Sequence, residues 1–250
     1  DTTAPVRPDA VAGYVDDAGA VQNAASTATF TDDTTPGFKI ASIAAGLTPS
    51  LYVDGNKVAA TYDPATGTLT PVSPLAEGAH SIGYTLTDAA GNESPRSNDF
   101  RLTVDLTPPP ALDSSLIQVL DDVGPVQGTL AAGAKTDDSK PEYTGKTDPA
   151  QVSVINVYDN GTLIGSTAVN ADGSWRFTPD LPLALGAHSL TARAVDAAGN
   201  IGAATPASTF TLVGDPPAAP AIIGVIDDRG SVTGNVARDA STDDTTLTLN

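Results

Sequence analysis

The sequence predicts an all-β chain built of tandem antiparallel β-sandwiches. Three observations carry that prediction. The chain repeats itself with a period of about 105 residues, short β-branched runs inside each repeat alternate with Gly, Pro, Asn and Asp turn signals, and no helical period is sustained anywhere. In 250 residues the period gives two full units and part of a third, 1–104, 105–214 and 215–250. Each full unit is long enough for its own core.

The second copy shows the elements best. A proline-rich link, DLTPPPALD at 105–113, resembles DTTAPVRPDA at 1–10 and DPPAAPA at 215–221, and proline makes such links short and stiff. Strand A is expected over 116–120 and strand B near EYTGK at 142–146. Strand C covers 152–158 and stops at Asp159-Asn160-Gly161, a strong hairpin turn. Strand D covers 162–169, a turn follows at 171–173, and strand E runs over 174–178 with the single tryptophan, Trp175, as anchor. Strand F covers 188–195, where Leu190, Ala192 and Ala194 alternate with polar residues, DAAGN closes it, and strand G covers 209–213. Seven short strands in about a hundred residues fit an immunoglobulin-like sandwich. The first copy follows the same plan but is two residues shorter around strand E and lacks the tryptophan. The third stops at Asn250, inside what should be strand B.

Composition excludes several functions. Acidic residues number 30 against 12 basic ones, a net charge of −18, which argues against nucleic acid and anionic membrane surfaces. There is no cysteine, hence no disulfide, thiolate chemistry or thiolate-bound zinc. No run approaches the ~18 apolar residues a membrane span needs. The chain also lacks methionine, so it is expected to be an excised part of something longer. The two histidines, His80 and His188, occupy the same repeat position, GAHS, and are expected to be structural. With one per repeat and no cysteine, no nucleophile–base pair can be assembled, and acids in polar, Gly-rich loops do not suit glycoside hydrolysis. The expected protein is not an enzyme.

The acids themselves are patterned. Asp16, Asp17 and Asp32, Asp33 bracket a small flexible segment, and the device recurs as Asp121, Asp122 with Asp137, Asp138 and as Asp227, Asp228 with Asp243, Asp244, at offsets of 105 and 106 residues. Nothing basic is spaced to neutralise these pairs. Clustered carboxylates in flexible loops suit calcium, which takes six to eight oxygen ligands in irregular geometry. Taken singly, a pair reads as a polar loop with Asp chosen for turns and helix caps; three copies at fixed spacing turn the reading toward a metal. Strand alternation brings the loop after A, the C–D and E–F loops and the outgoing link to one pole, and the B–C, D–E and F–G loops to the other. Asp16, Asp17, Asp32, Asp33 and Asp105 should therefore meet Asp196 and Asn200 of the next unit's DAAGN, with Asp172 nearby. Asp88 and Asp215 hold the positions of Asp196 and Asp105 in neighbouring copies. DAAGN is also an ordinary Gly/Asn turn.

The string VYDNGTLIGSTAVNADGSWRFTPDLPLALGAHSLTARAVDAAGN, with the DDxG and TDD pieces, resembles the bacterial Ig-like repeats of giant type I-secreted adhesins and biofilm-associated proteins. The resemblance covers essentially the whole chain. It implies a non-enzymatic stalk at the bacterial cell surface, with neighbouring repeats as partners, calcium at the junctions, no membrane insertion and the adhesive receptor bound elsewhere in the protein. Two other readings stand beside it: a module that recognises a host glycan or protein directly, and an accessory module of an extracellular enzyme.

Overall fold

Short runs with alternating apolar residues can be buried only where two sheets face each other, and each repeat is such a pair. The computed structural model describes residues 1–125, 127–214, 224–231, 233–237, 241–246 and 248–249. One unit, Asp1–Val213, holds both full repeats, and Gly214–Asn250 forms another.

The first repeat contains β1 (Gly13–Asp16), β2 (Asn23–Ser26), β3 (Phe30–Thr31), β4 (Gly37–Lys39), β5 (Thr48–Val53), β6 (Asn56–Val58), β7 (Ala60–Asp63), β8 (Thr68–Pro71), β9 (Gly78–Thr87) and β10 (Phe100–Val104). One sheet has the order β2-β1-β4-β8-β7 and the other β3-β10-β9-β5-β6. The second repeat contains β11 (Gln118–Asp121), β12 (Gly128–Thr129), β13 (Ala134–Thr136), β14 (Glu142–Lys146) and β15 (Val154–Asp159). It continues through β16 (Thr162–Ala168), β17 (Ser174–Phe177), β18 (Gly186–Val195), β19 (Ile201–Ala204) and β20 (Ser208–Leu212). Its sheets run β12-β11-β14-β17 and β13-β20-β18-β15-β16, with β19 on β18.

The expected strands are present with three differences. The segment holding the aspartate pairs is not a plain loop: after β1 it turns back as β2, then crosses to the opposite sheet as β3, which runs parallel to β10. Second, 116–120 is not strand throughout, because Asp113 caps a 3-10 turn at Ser114–Leu116 before β11 starts. Third, the expected strand D divides the repeats. In the first it breaks at Ala59, so β6 pairs with β5 while β7 crosses to β8. In the second, β16 stays with β15 along its whole length, past a bulge at Val157/Tyr158. Both hairpins turn on two residues with positive φ, Asp54-Gly55 (52° and 80°) and Asn160-Gly161 (49° and 82°). That geometry matches the twist of the flanking strands.

The two cores keep their volume by opposite choices at paired positions. Gly145 lies opposite Trp175 in the second repeat, and a Cβ on Gly145 would lie 2.5 Å from the indole. The pair is Ile40 and Gly67 in the first repeat, joined by the Ile40 N–H to the Gly67 carbonyl at 3.0 Å. Likewise Phe177 covers Gly165 in the second repeat. The sheet registers put Leu69 and Val58 at those positions in the first. Trp175, Tyr143 and Phe210 are buried in one core and Tyr14, Phe38 and Tyr84 in the other, so these aromatics serve packing. In the third copy β21 (Val225–Asp227) pairs with β22 (Gly234–Asn235) and β23 (Thr248–Leu249).

The volume exchange can be tested in the second repeat, whose unfolding the only tryptophan or far-UV dichroism reports. Trp175→Gly should cost about 3–5 kcal/mol and Gly145→Ile about 1–3 kcal/mol from overpacking. The double variant, which copies the first repeat, should lose clearly less than the sum. Strict additivity in denaturant titrations followed by dichroism would rule the exchange out.

Candidate metal centre

The two aspartates of each pair look alike in sequence and have different surroundings in the fold. Asp16 ends β1 buried, its Oδ2 accepting from the Thr31 hydroxyl at 2.8 Å. Thr31 Oγ1 in turn accepts from the Asp33 N–H at 3.0 Å, and Asp33 Oδ1 accepts from the Thr35 N–H at 2.7 Å. The same chain of bonds joins Asp121, Thr136 and Asp138, and again Asp227, Thr242 and Asp244. It ties the end of the first strand to the segment that has crossed to the other sheet. The threonine of each T-D-D was not expected to matter, although its threefold spelling was the available signal.

The inner member of the second pair, Asp32, sits against the turn after the first pair. Gly19 there has φ +60°, and any side chain on it would overlap the Asp32 carboxylate. Asp137 lies on Gly124 and Asp243 on Gly230 in the same way. Such close approach of a carboxylate to backbone needs glycine. Asp17, Asp122 and Asp228 follow the buried Asp16, Asp121 and Asp227 in the opening pairs, and neither Asp17 nor Asp122 is buried.

The first repeat's Asp cluster meets the second repeat at the F–G turn. Asp196 Oδ1 accepts the N–H groups of Ala198, Gly199 and Asn200, each at 2.9 Å. Asn200 Nδ2 donates to Asp196 Oδ2 at 3.0 Å and to the Asp105 backbone carbonyl at 2.8 Å. Asp105 Oδ1 accepts from the Thr107 N–H at 3.0 Å. A Cβ on Gly199 would touch Val21 at 3.3 Å, so the loop after β1 abuts this turn. A groove of about 330 Å³ lies between Phe30, Asp105, Pro108, Gln151 and Asp196. Burial, followed by the charges of Asp16, Asp196 and Asp33, pushes the Asp32 carboxyl above its usual range.

Not every expected ligand joins this group. Asp88 occupies the F–G turn at the far end of the first repeat, binding the Ala90 and Asn92 N–H groups, while Asn92 reaches the Asp1 carbonyl at 3.1 Å. Asp172 stays within its own hairpin, accepting from Ser174 N and Oγ. Asp121, Asp122, Asp137 and Asp138 form the same arrangement at the end of the second repeat, while Asp215 lies outside the described residues. In the third copy a basic group does approach, with Arg229 Nε 4.0 Å from Asp244 Oδ1.

The fit to a cation rests on oxygens left without donors. Asp32 Oδ1, Asp33 Oδ2 and Asp138 Oδ2 are buried and unbonded. Burial first, and then neighbouring aspartates, also hold the Asp16 and Asp138 carboxyls above the usual range despite the hydrogen bonds they accept. Buried lone pairs without a partner are costly. A hard, all-oxygen set of this kind suits calcium better than a nitrogen- or sulfur-seeking metal. Among the described residues no three acidic or histidine side chains converge on one point.

The hydrogen-bonded threonine gives a direct test in the second repeat. Thr136→Val removes a buried bond to a carboxylate and strands the Asp138 N–H. It should cost about 2 kcal/mol, read as a lower urea midpoint of Trp175 fluorescence. A midpoint unchanged from the parent would mean that the threonine hydroxyl is dispensable.

The family model described as bacterial Ig-like domain matches residues 10–106 and 122–212. No curated protein is a sequence match to the chain. Among solved structures, fibronectin(III)-like modules of Clostridium thermocellum CbhA are similar at 12% identity and TM-score 0.45, covering 73% of this chain and 87% of theirs. A tetra-tandem repeat from the extending region of a large adhesion protein is similar at 20% identity and TM-score 0.29, covering 75% of this chain and 47% of its own. The Yersinia pseudotuberculosis adhesin InvE is similar at 16% identity and TM-score 0.28, covering 79% and 64%. The family match falls on both sandwiches and includes both F–G turns, and the chain belongs to the bacterial Ig-like domain family.

Proposed function

We propose that this chain is a non-enzymatic stalk segment of a large bacterial cell-surface adhesin, exported by a type I route, whose junctions are stiffened by extracellular calcium. One observation carries the reading. At the junction Asp32 has a buried unbonded oxygen, and burial, Asp16 and then Asp196 of the next repeat hold its carboxyl above the usual range. Asp16 and Asp33 hold the loop, and Asp17, Asp32, Asp105 and Asp196 would hold the ion. Asp122 and Asp137 are the equivalent residues of the second repeat. Bound there, calcium would supply the positive charge that lets carboxylates from two repeats stay together.

The residues around the centre are suited to a hinge that can be locked. Without countercharge the acids repel, and what links the repeats is the proline-rich segment, the Asn200–Asp105 bond and the Val21–Gly199 contact. Sites of this kind in extracellular modules bind at about 10⁻⁴–10⁻³ M, matched to calcium outside cells. A chain that is pliable where calcium is scarce and rigid outside would suit export followed by extension.

Two measurements on the full chain test this. At calcium about ten times Kd the stabilisation is about 1.4 kcal/mol per site, so the melting temperature should rise between excess chelator and millimolar calcium. Small-angle scattering should show a longer, narrower distribution with calcium, and Asp32→Ala should weaken that response. Identical melting and scattering curves in chelator and calcium would remove the metal reading.

A further inference from the structure

The two histidines occupy a constellation built alike in both repeats and independent of the metal reading. His188 is buried at the start of β18. Its Nδ1 lies 2.7 Å from Asp159 Oδ2, and its Nε2 lies 2.7 Å from the Ala184 carbonyl oxygen. His80, at the start of β9, stands 2.8 Å from Asp54 Oδ2 and 2.8 Å from the Ala76 carbonyl. The carboxylates come from equivalent hairpins but from neighbouring positions. Asp159 precedes the Asn160-Gly161 turn, whereas Asp54 is itself the first turn residue, yet each also accepts the N–H of the residue after the histidine, Ser189 at 3.1 Å and Ser81 at 2.8 Å.

A carbonyl oxygen can only accept, and so can an ionised carboxylate. A neutral imidazole has one N–H and one lone pair, so at one of its two nitrogens it would set a lone pair against an oxygen. Both contacts are satisfied only when the ring carries both protons, or when the shared proton sits on the aspartate. In either form the pair holds one proton more than a neutral ring with a free carboxylate.

We propose that each repeat is fastened by a proton-dependent clamp, in which a cationic histidine joins the hairpin turn to the loop leading into the histidine's own strand. The geometry is matched by the electrostatics in the first repeat. Burial alone would lower the His80 imidazole, but the Ala76 carbonyl and Asp54 outweigh it and hold it above the ordinary histidine value. Asp54 is held below the ordinary carboxylate range, its burial outweighed by the Ser81 N–H and His80.

Other charges near the clamps are engaged elsewhere. Beside His80, Glu77 accepts from Thr107, Lys57 lies 3.8 Å from Glu93, Arg96 is paired with Asp99 at 3.2 Å, and Arg101 is exposed. From β10 the residue opposite is the apolar Leu102. Beside His188, Lys140 donates to the Asp180 carbonyl and Lys135 is exposed, while β20 contributes the Phe210 ring, stacked at 5.2 Å. In the first repeat the clamped loop also holds the outgoing link through the 2.7 Å bond from Thr107 to Glu77. Loss of the proton therefore loosens the loop on which the link rests.

The sign follows from linkage. A histidine raised in the folded state contributes fully below its unfolded value, about 6.5, and its contribution is lost as pH rises through the folded value. The chain has no cysteine and two histidines, so between about pH 6.5 and 9 only these rings and the α-amino group titrate. The test is nitrogen NMR of the two rings in the unmodified full chain, with chelator present. At about pH 7.5 an unperturbed imidazole is about nine-tenths neutral. Here both nitrogens of both rings should still give imidazolium shifts or a two-bonded shared proton, as the two oxygen contacts of each ring require. Melting temperature should fall from about pH 6.5 to 9 in the parent, and the fall should be mostly absent in His80→Gln/His188→Gln. A pyridine-type nitrogen on either ring at neutral pH overturns the proposal. Because chelator is present throughout, either result leaves the calcium reading to its own experiment.

Discussion

The structure depends on one small hydrogen-bonded lock, the aspartate–threonine–aspartate chain typified by Asp16, Thr31 and Asp33. A strand that leaves one sheet and joins the other exposes backbone at the crossing, and something must hold both ends in register. The buried carboxylate of Asp16 does so by accepting from Thr31, which has already entered the second sheet beside β10. Three occurrences of the same bonds, in Asp121–Thr136–Asp138 and Asp227–Thr242–Asp244 as well, show that the lock belongs to the repeat and not to one accident of packing. Once two acids are consumed this way, the other two lie at the turn after β1, at the end where the next repeat begins.

That division explains how one acidic loop can serve both fold and junction. The buried acids are held by short bonds and tolerate their desolvation because donors surround at least one of their oxygens. The inner acid of the second pair is differently placed. It rests on a glycine turn with one oxygen unbonded, facing the turn of DAAGN, whose own aspartate is bonded to three successive N–H groups. Asn200 then fastens that turn to the backbone of the link, and Asn92 does the same at the start of the first repeat through Asp1. Each repeat thus grips the segment that enters it, which keeps successive sandwiches in a defined relation even though the link is only a few residues long.

The cores vary under this fixed frame. Trp175 against Gly145 and Gly67 against Ile40 place the bulk on opposite sides, while Phe177 over Gly165 is replaced by the two medium side chains Leu69 and Val58. Interiors packed to crystal-like density permit such exchanges only in pairs, because a single change leaves a void or an overlap. The lost tryptophan of the first repeat is therefore compensated across the sheet, one strand away.

Fold class, repeat length, strand order and the positions of both hairpin turns were legible in the sequence, because alternation and Gly, Asn and Asp turn chemistry act over a few neighbouring residues. So was the concentration of acids at one pole, since strand alternation alone dictates it. The inequality within each Asp-Asp pair was not legible. Adjacent identical residues point to opposite sides of an extended chain, and which side faces the core is decided by the crossing from β1 to β3. The partners of His80 and His188 were likewise hidden: Asp54 and Asp159 stand 26 and 29 residues away and at different turn positions. The tertiary structure alone decided these roles, because burial, close approach and the sharing of a proton depend on distances between strands that a linear pattern does not contain.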